Sequence, residues 1–188
     1  MNPSVKKLVV SALGVVINVV LGTAVSWLSI PLLFLDTIGT IYVAANIGMR
    51  YGILTGISTN LVLGATAGVT AIPFALVNVA VAIVVALMAK GGFGIVKAVI
   101  TGLILAVVCP LIGTPIRLLL FGGFTGSGTD VLIAALRASG QEIFNATFLG
   151  TVAGNFVDKI VSCVLVAFLL KYLPKSITKI PGKAATEN

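Results

Sequence analysis

The sequence contains no histidine among its 188 residues. Histidine is the side chain that titrates near neutral pH, and it is the commonest metal ligand. Its absence excludes histidine-based zinc sites, haem ligation, imidazole proton relays and serine–histidine catalysis. No pair of nucleophile and base can be assembled from the other side chains. We therefore expect a protein that is not an enzyme, with no catalytic residues, no metal site and no cofactor.

Charged residues are also scarce, at 9% of the chain, whereas 59% of its residues are hydrophobic and the mean hydropathy is +1.20. Soluble domains carry roughly 25% charged residues. So little polar surface cannot cover a water-soluble globule, which makes lipid the solvent. The apolar residues form continuous runs rather than the alternation of barrel strands, so we predict an all-α integral membrane protein.

A phosphate-binding loop of the form G-x-x-x-x-G-K-[ST] is absent, because the nearest segment, GGFGIVK, has the wrong spacing. No segment is polar enough for a soluble domain, so residues 1–188 are predicted to form one membrane domain. If such a chain pumps a solute, another subunit must supply the energy. Cys109 and Cys163 fall within apolar runs, where a disulfide is not expected, and neither receives a role.

Polar breaks divide the chain into six apolar segments, and a membrane-crossing helix needs about 20 apolar residues. We predict a bundle of six transmembrane helices over residues 8–27, 36–49, 51–68, 71–89, 95–121 and 144–170. The second segment is short unless the apolar loop before it contributes. The fifth is expected to bend at Pro110 and Pro115. The first is too long for a signal-peptide core and is interpreted as a span.

The basic residues predict that both termini are cytoplasmic. With the amino terminus inside, nine Lys or Arg residues fall inside, and only Arg117 and Arg137 fall outside. The nine are Lys6, Lys7, Arg50, Lys90, Lys97, Lys171, Lys175, Lys179 and Lys183. This is the positive-inside pattern of a multi-pass membrane protein. The net charge of +7 is thereby explained by topology, so no nucleic-acid partner is expected. Residues 172–188 are predicted to be a cytoplasmic tail that touches anionic lipid.

Polar side chains inside lipid are costly and mark function by default. The last span carries six of them: Asn145, Thr147, Thr151, Asn155, Asp158 and Lys159. Thr147, Thr151, Asn155 and Lys159 recur at every fourth residue and so share one face of the helix. One interpretation is a row that faces a ligand. The alternative is a structural charge site, in which Asp158 and Lys159 pair with other helices. Adjacent helical residues point about 100° apart, so these two cannot be assumed to pair with each other.

Asn78 and Arg117 lie in the outer halves of the fourth and fifth predicted spans, where either side chain can face a cavity. Arg117 alternatively snorkels to lipid phosphate. At the outer start of the second span, Asp36 is interpreted as a helix cap, as a ligand contact, or as both.

The outer loop after the fifth span has four glycines between Gly122 and Gly128. It is either a mobile lid, with Phe124 closing over a ligand, or an ordinary connection. A short helix is predicted from Asp130 to Ala138, with Asp130 as its cap.

Small residues recur at every fourth position in three of the predicted spans. They are Gly52, Gly56, Gly64 and Gly68 around Asn60, then Ala146, Gly150 and Gly154, and Gly14 and Gly22 around Asn18. Such rows allow close helix approach and are interpreted as internal packing seams. The alternative is a docking groove for a partner membrane protein. The first span suits that alternative best, because its face also carries Ser11.

Two segments, IPLLFLDTIGTIYVAANIGMRYGILTGISTNLV and GNFVDKIVSCVLVAFLLKYLPK, resemble the substrate-binding (S) components of bacterial energy-coupling factor transporters. With the topology, the resemblance covers nearly the whole chain. It implies high-affinity capture of a vitamin, vitamin precursor or similar micronutrient from outside. It also implies association with a transmembrane coupling protein and two cytoplasmic ATPases. The docking motif A-x-x-x-A of many members is not matched, since Val16 follows Ala12 by four residues.

The resemblance implies a ligand site in the outer half, capped by the loop after the first span. The candidate residues are Asp36, Asn78, Arg117, Asn145, Thr147, Asn155 and Lys159. They favour a small polar ligand, and the scarcity of large amphipathic rings disfavours a site built mainly on stacking. We expect Asn155→Ala and Lys159→Met to weaken ligand binding without preventing folding. The alternative functions are a membrane ligand-sensing domain and a stand-alone secondary transporter.

Overall fold

A computed structural model describes residues 2–173, which are all-helical and contain no strand. The elements in that range are α1 (Pro3–Trp27), α2 (Ile38–Asn46), α3 (Met49–Thr66), a 3₁₀-helix (Val69–Phe74), α4 (Ala75–Met88), α5 (Ile95–Phe121), α6 (Asp130–Ala138) and α7 (Ile143–Tyr172). The all-α prediction is therefore confirmed for this part of the chain. Most of the predicted tail, with Lys175, Lys179 and Lys183, lies outside the described residues.

Four helices between residues 2 and 173 are long and apolar enough to cross a membrane. They are α1, the continuous 3₁₀-helix and α4, α5, and α7. α5 runs without interruption through Pro110 and Pro115. α2 has nine residues, which span about 14 Å, less than half of a hydrocarbon core of about 30 Å. The helices indicate a membrane protein with four candidate spans by length and composition.

The helix ends have simple local causes. Pro3 lies at the start of α1, where its missing N–H costs nothing, and the Asn2 side chain accepts from the Ser4 N–H at 3.0 Å. Gly48 and Gly68 have φ values of +127° and +126°, and they separate α2 from α3 and α3 from the 3₁₀-helix. These glycines let the chain turn after α2 and after α3, since other residues rarely adopt such angles.

The short helix α2 lies in the middle of the bundle. Seven of its nine residues are buried, and Ile41 joins Val81, Val85, Leu105 and Val166 in the central core. α1 reaches α2 at Gly14 and Gly39, where even a methyl group on Gly39 would overlap the Gly14 carbonyl. Protein rather than lipid therefore surrounds much of α2.

The predicted packing seams are confirmed where α3 and α7 meet their neighbours. A Cβ atom on Gly52 would lie 2.6 Å from the Ala44 side chain, and one on Gly56 would lie 2.9 Å from Asn78. Gly150 packs against Ile133 of α6. Gly14 and Asn18 of α1 are buried too, so that row faces the bundle and is not free to dock a partner.

Candidate ligand-binding cavity

A cavity of about 420 Å³ lies at one end of the bundle. Its walls come from the carboxyl-terminal ends of α1, α3 and α5, from the first half of α4, from the middle of α7, and from the loops 28–37 and 122–129. Among its lining residues are the polar side chains Asp36, Asn60, Asn78, Arg117, Asn155 and Lys159. Ligand cavities in proteins are typically about 300–1,000 Å³, so a small molecule fits this space.

Five of the seven residues predicted for a ligand site line this cavity: Asp36, Asn78, Arg117, Asn155 and Lys159. The other two do not. Asn145 is exposed near the start of α7. Thr147 is fully buried, and its hydroxyl has no hydrogen-bond partner. A methyl group on Gly123 would lie 2.8 Å from that hydroxyl, so Thr147 packs under the 122–129 loop rather than into the cavity.

Lys159 is the centre of a buried charge cluster. Its ammonium donates to the Asp158 carboxylate at 2.6 Å and to the Thr37 hydroxyl at 2.9 Å, and it lies 3.6 Å from an Asp36 oxygen. Asp158 and Lys159, whose pairing could not be assumed from sequence, do pair with each other. The long, flexible lysine side chain covers the angle between their positions on the helix. Because both residues are almost completely buried, the pair compensates charges that would be costly alone.

Asp158 also anchors the loop between α1 and α2. Its Oδ1 atom accepts from the backbone N–H groups of Phe34 and Leu35, at 2.9 and 2.8 Å. Leu35 has a φ of +51°, and Ser29 and Leu32 of the same loop also have positive φ values. A backbone in this region is strained for residues with side chains, so contacts such as the two to Asp158 must hold it. The structural-charge interpretation of Asp158 therefore fits its contacts.

Asp36 is not the cap of α2. Helix α2 begins after Thr37, whose side chain makes no capping bond because it accepts from Lys159 instead. The Asp36 side chain is directed at the charge cluster and is 41% exposed. Its Oδ1 atom has no hydrogen bond. The capping interpretation is therefore wrong, and the ligand contact stays a prediction.

Arg117 is buried and does not snorkel to the membrane surface. It forms an ion pair with Asp130, and its Nε donates to the Gly123 carbonyl at 2.7 Å. The predicted helix Asp130–Ala138 is confirmed as α6, but Asp130 does not cap it. Thr129 holds the cap position and makes no side-chain capping bond. The Asp130 carboxylate accepts instead from Arg117 and from the Gly126 N–H. Arg117 therefore ties the glycine-rich loop to α5.

Asn78 belongs to a buried chain of hydrogen bonds through four helices. Asn18 donates to Thr40, Thr40 donates to Asn78, and Asn78 donates to Asn60, each at 2.8–2.9 Å. Asn60 completes the chain by donating to the Ala71 carbonyl. These bonds satisfy polar groups that would be costly if left unpaired in an apolar interior. Asn78 therefore has a structural role even though it borders the cavity.

Asn155 lines the cavity and makes its side-chain hydrogen bond within its own helix. It is 6% exposed, and its amide nitrogen donates to the Thr151 carbonyl one turn earlier. Thr151 bonds the Thr147 carbonyl in the same way, which is how isolated hydroxyls usually behave in membrane helices. The Asn155 amide oxygen borders the cavity and receives no bond from the described residues. It is available to a ligand.

Aromatic walls of the cavity were missed by the sequence analysis. Phe34, Phe74, Phe121 and Trp27 all line it, and the Phe74 and Phe121 ring centroids lie 6.3 Å apart. Phe34 lies in the loop after α1, which was expected to cap the site, but the residue itself was not predicted to line it. Phe124, expected to close over a ligand, does not line the cavity. A ring at a helix end in an apolar sequence carries no signal of its own, so only the fold distinguishes these positions.

Comparison with known proteins provides no relative for this chain. No family model, no curated protein and no solved structure matches it. Functional inference therefore rests on the cavity and on the sequence.

Proposed function

We propose that this chain is the membrane-embedded binding subunit of an ATP-driven micronutrient importer, similar to the S components of energy-coupling factor transporters. It captures a small vitamin or vitamin precursor from outside the bacterial cell. A transmembrane coupling protein and two cytoplasmic ATPases then drive delivery. The observation that carries the proposal is the cavity itself, because five candidate residues from four separate segments converge on one space of about 420 Å³.

The proposal includes six membrane crossings with both termini in the cytoplasm. The short α2 supports this count despite its length, because neighbouring helices surround it and satisfy irregular backbone that lipid would not. Strict alternation then groups Lys7, Arg50, Lys90, Lys97 and Lys171 at the end opposite the cavity. The Lys7 ammonium lies 5.8 Å from the centre of the Tyr51 ring, which agrees with the first and third crossings starting on one side.

The first test asks whether the protein retains a small molecule. The full chain, expressed in a bacterium and purified in detergent without added ligand, is denatured, and the released compounds are identified by mass spectrometry. We expect one enriched micronutrient-sized compound, and co-purification of the coupling protein and ATPases when these are co-expressed. Retention of no compound, together with no association with ATPases, would contradict the proposal.

The second test uses Asn155→Ala, which removes an unbonded cavity oxygen while sparing the charge cluster. We expect the affinity for the identified compound to fall by about tenfold, as for loss of one ligand hydrogen bond of about 1.5 kcal/mol. Asn145→Ala is the matched control, because Asn145 is exposed on the same helix and outside the cavity. Calorimetric titration compares the two. Equal affinity of both variants would remove Asn155 from the site.

A further inference from the structure

The two cationic side chains at the cavity are already engaged by the protein. The Lys159 ammonium is held by Asp158, and the Arg117 guanidinium by Asp130 and the Gly123 carbonyl. A ligand that offered an anion would have to displace one of these buried partners. Such a partner, left without its charge complement, would be strongly destabilising.

Two side chains that border the cavity, Asp36 and Asn155, carry acceptor oxygens without a donor. The Asp36 Oδ1 atom has no hydrogen bond, and its separation of 3.6 Å from the Lys159 ammonium is too long for one. The Asn155 amide oxygen also lacks a donor, although the residue is 94% buried. The Asp36 side chain is 41% exposed, so a ligand in the cavity can reach its carboxylate as well as Asn155. Acceptors that lack donors are costly inside a protein, and a ligand that donates N–H or O–H groups would stabilise them.

The charge balance favours the same kind of ligand. The side chains of Asp36 and Asp158 share the single ammonium of Lys159, so the cluster holds one more acidic group than basic groups. Arg117 and Asp130 neutralise each other. The carboxylate with the fewest contacts, Asp36, is also the one that reaches the cavity.

The apolar walls are suited to a cation as well. Phe34, Phe74 and Phe121 border the cavity, and aromatic faces attract positive charge through their quadrupoles. The Phe34 ring already lies 6.0 Å from the Lys159 ammonium. A metal ion is a poorer candidate, because no group of three or more His, Cys, Asp or Glu residues able to hold one occurs among residues 2–173.

We infer that the cavity selects a small organic cation, with a protonated or permanently charged nitrogen placed near Asp36 and an N–H or O–H group donated to Asn155. This inference rests on the proposed function, since it names the chemical class of the captured solute. Asp36 would supply charge selectivity, and the aromatic walls would hold the ligand's apolar part.

Three probes of similar size and different charge test the inference on the purified full-length chain. They are benzylamine, a cation at neutral pH, benzyl alcohol, which is neutral, and benzoate, an anion. Calorimetric titration is expected to detect benzylamine binding at least about tenfold tighter than either of the others. Asp36→Asn should abolish that preference, and Asn155→Ala should weaken benzylamine binding severalfold. Glu142→Gln removes an exposed carboxylate outside the cavity and should leave the preference for benzylamine and the benzylamine affinity unchanged.

Thermal unfolding of each variant shows whether it remains folded. If Asp36→Asn does not fold, the loss of benzylamine affinity in Asn155→Ala still tests the site. Tighter binding of benzoate, an unchanged preference in Asp36→Asn, or no binding of any probe would overturn the inference. The co-purifying compound separates this failure from that of the proposed function. A retained anionic or neutral compound would overturn the cation inference alone. Retention of no compound and no association with ATPases would overturn the proposed function.

Discussion

At the scale of single residues, Asn155 and Lys159 occupy successive turns of α7 and line the same cavity, but their contacts differ. Lys159 is bonded to Asp158 and Thr37 and lies close to Asp36. Asn155 bonds only a carbonyl of its own helix. Removal of Lys159 therefore acts on folding before it acts on a ligand, whereas removal of Asn155 acts on the cavity.

Lys159→Met is accordingly expected to destabilise the protein, contrary to the expectation from sequence that this variant folds normally. It leaves Asp158 buried without a counter-charge, at a cost of about 3–5 kcal/mol in the free energy of unfolding. Lys90→Met is the matched control, since Lys90 is exposed, and it should change that free energy by less than about 0.5 kcal/mol. Denaturant unfolding in detergent micelles measures both. Equal stability of the two variants would show that the cluster does not hold α7 to the loop.

At the scale of elements, the long helices were predictable and the contacts between them were not. α5 was predicted with its observed bounds, because polar and glycine-rich segments flank one continuous apolar run. α2 is shorter than its predicted span of 36–49: it begins two residues later, at Ile38, and ends three residues earlier, at Asn46, before the turn at Gly48. A period of four placed Asn155 and Lys159 on one face of α7. The partner of Lys159 on the loop, Thr37, is 122 residues away, and no local pattern encodes such a contact.

Gly39→Ala tests the contact that seats α2 in the bundle. The added methyl group would overlap the Gly14 backbone, so α1 and α2 must separate, and overpacking of this kind costs about 1–3 kcal/mol or more. Because the Gly39 N–H also donates to Asn18 at 2.7 Å, the buried chain of hydrogen bonds is strained as well.

Gly94→Ala is the control for Gly39→Ala, since a Cβ atom at Gly94 would meet open space. Denaturant unfolding should show a large loss of stability for Gly39→Ala and little change for Gly94→Ala. A Gly39→Ala variant with wild-type stability would mean that α1 and α2 are not in close contact in the membrane.

At the scale of the whole molecule, the cavity and most of the charge lie at opposite ends. The cationic groups at the cavity end, Arg117 and Lys159, are held in internal ion pairs, whereas the other end carries exposed lysines such as Lys90. From the positive-inside rule we expect the cavity to face the outside. This orientation is what a chain needs to capture a solute before partner subunits deliver it.

The orientation is testable with single cysteines introduced at the two ends. Ser139→Cys places an exposed thiol after α6 at the cavity end, and Lys90→Cys places one after α4 at the other end. A membrane-impermeant maleimide should label Ser139→Cys in intact spheroplasts, and Lys90→Cys only after the membrane is permeabilised. The native Cys109 and Cys163 are buried and should stay unlabelled in the parent protein, which serves as the control. The reverse pattern would place the cavity in the cytoplasm, where it could not capture an external solute. In the proposed topology, α5 is the one crossing between these two sites. Labelling of both sites in intact spheroplasts would place them on the same side of the membrane and would contradict that topology.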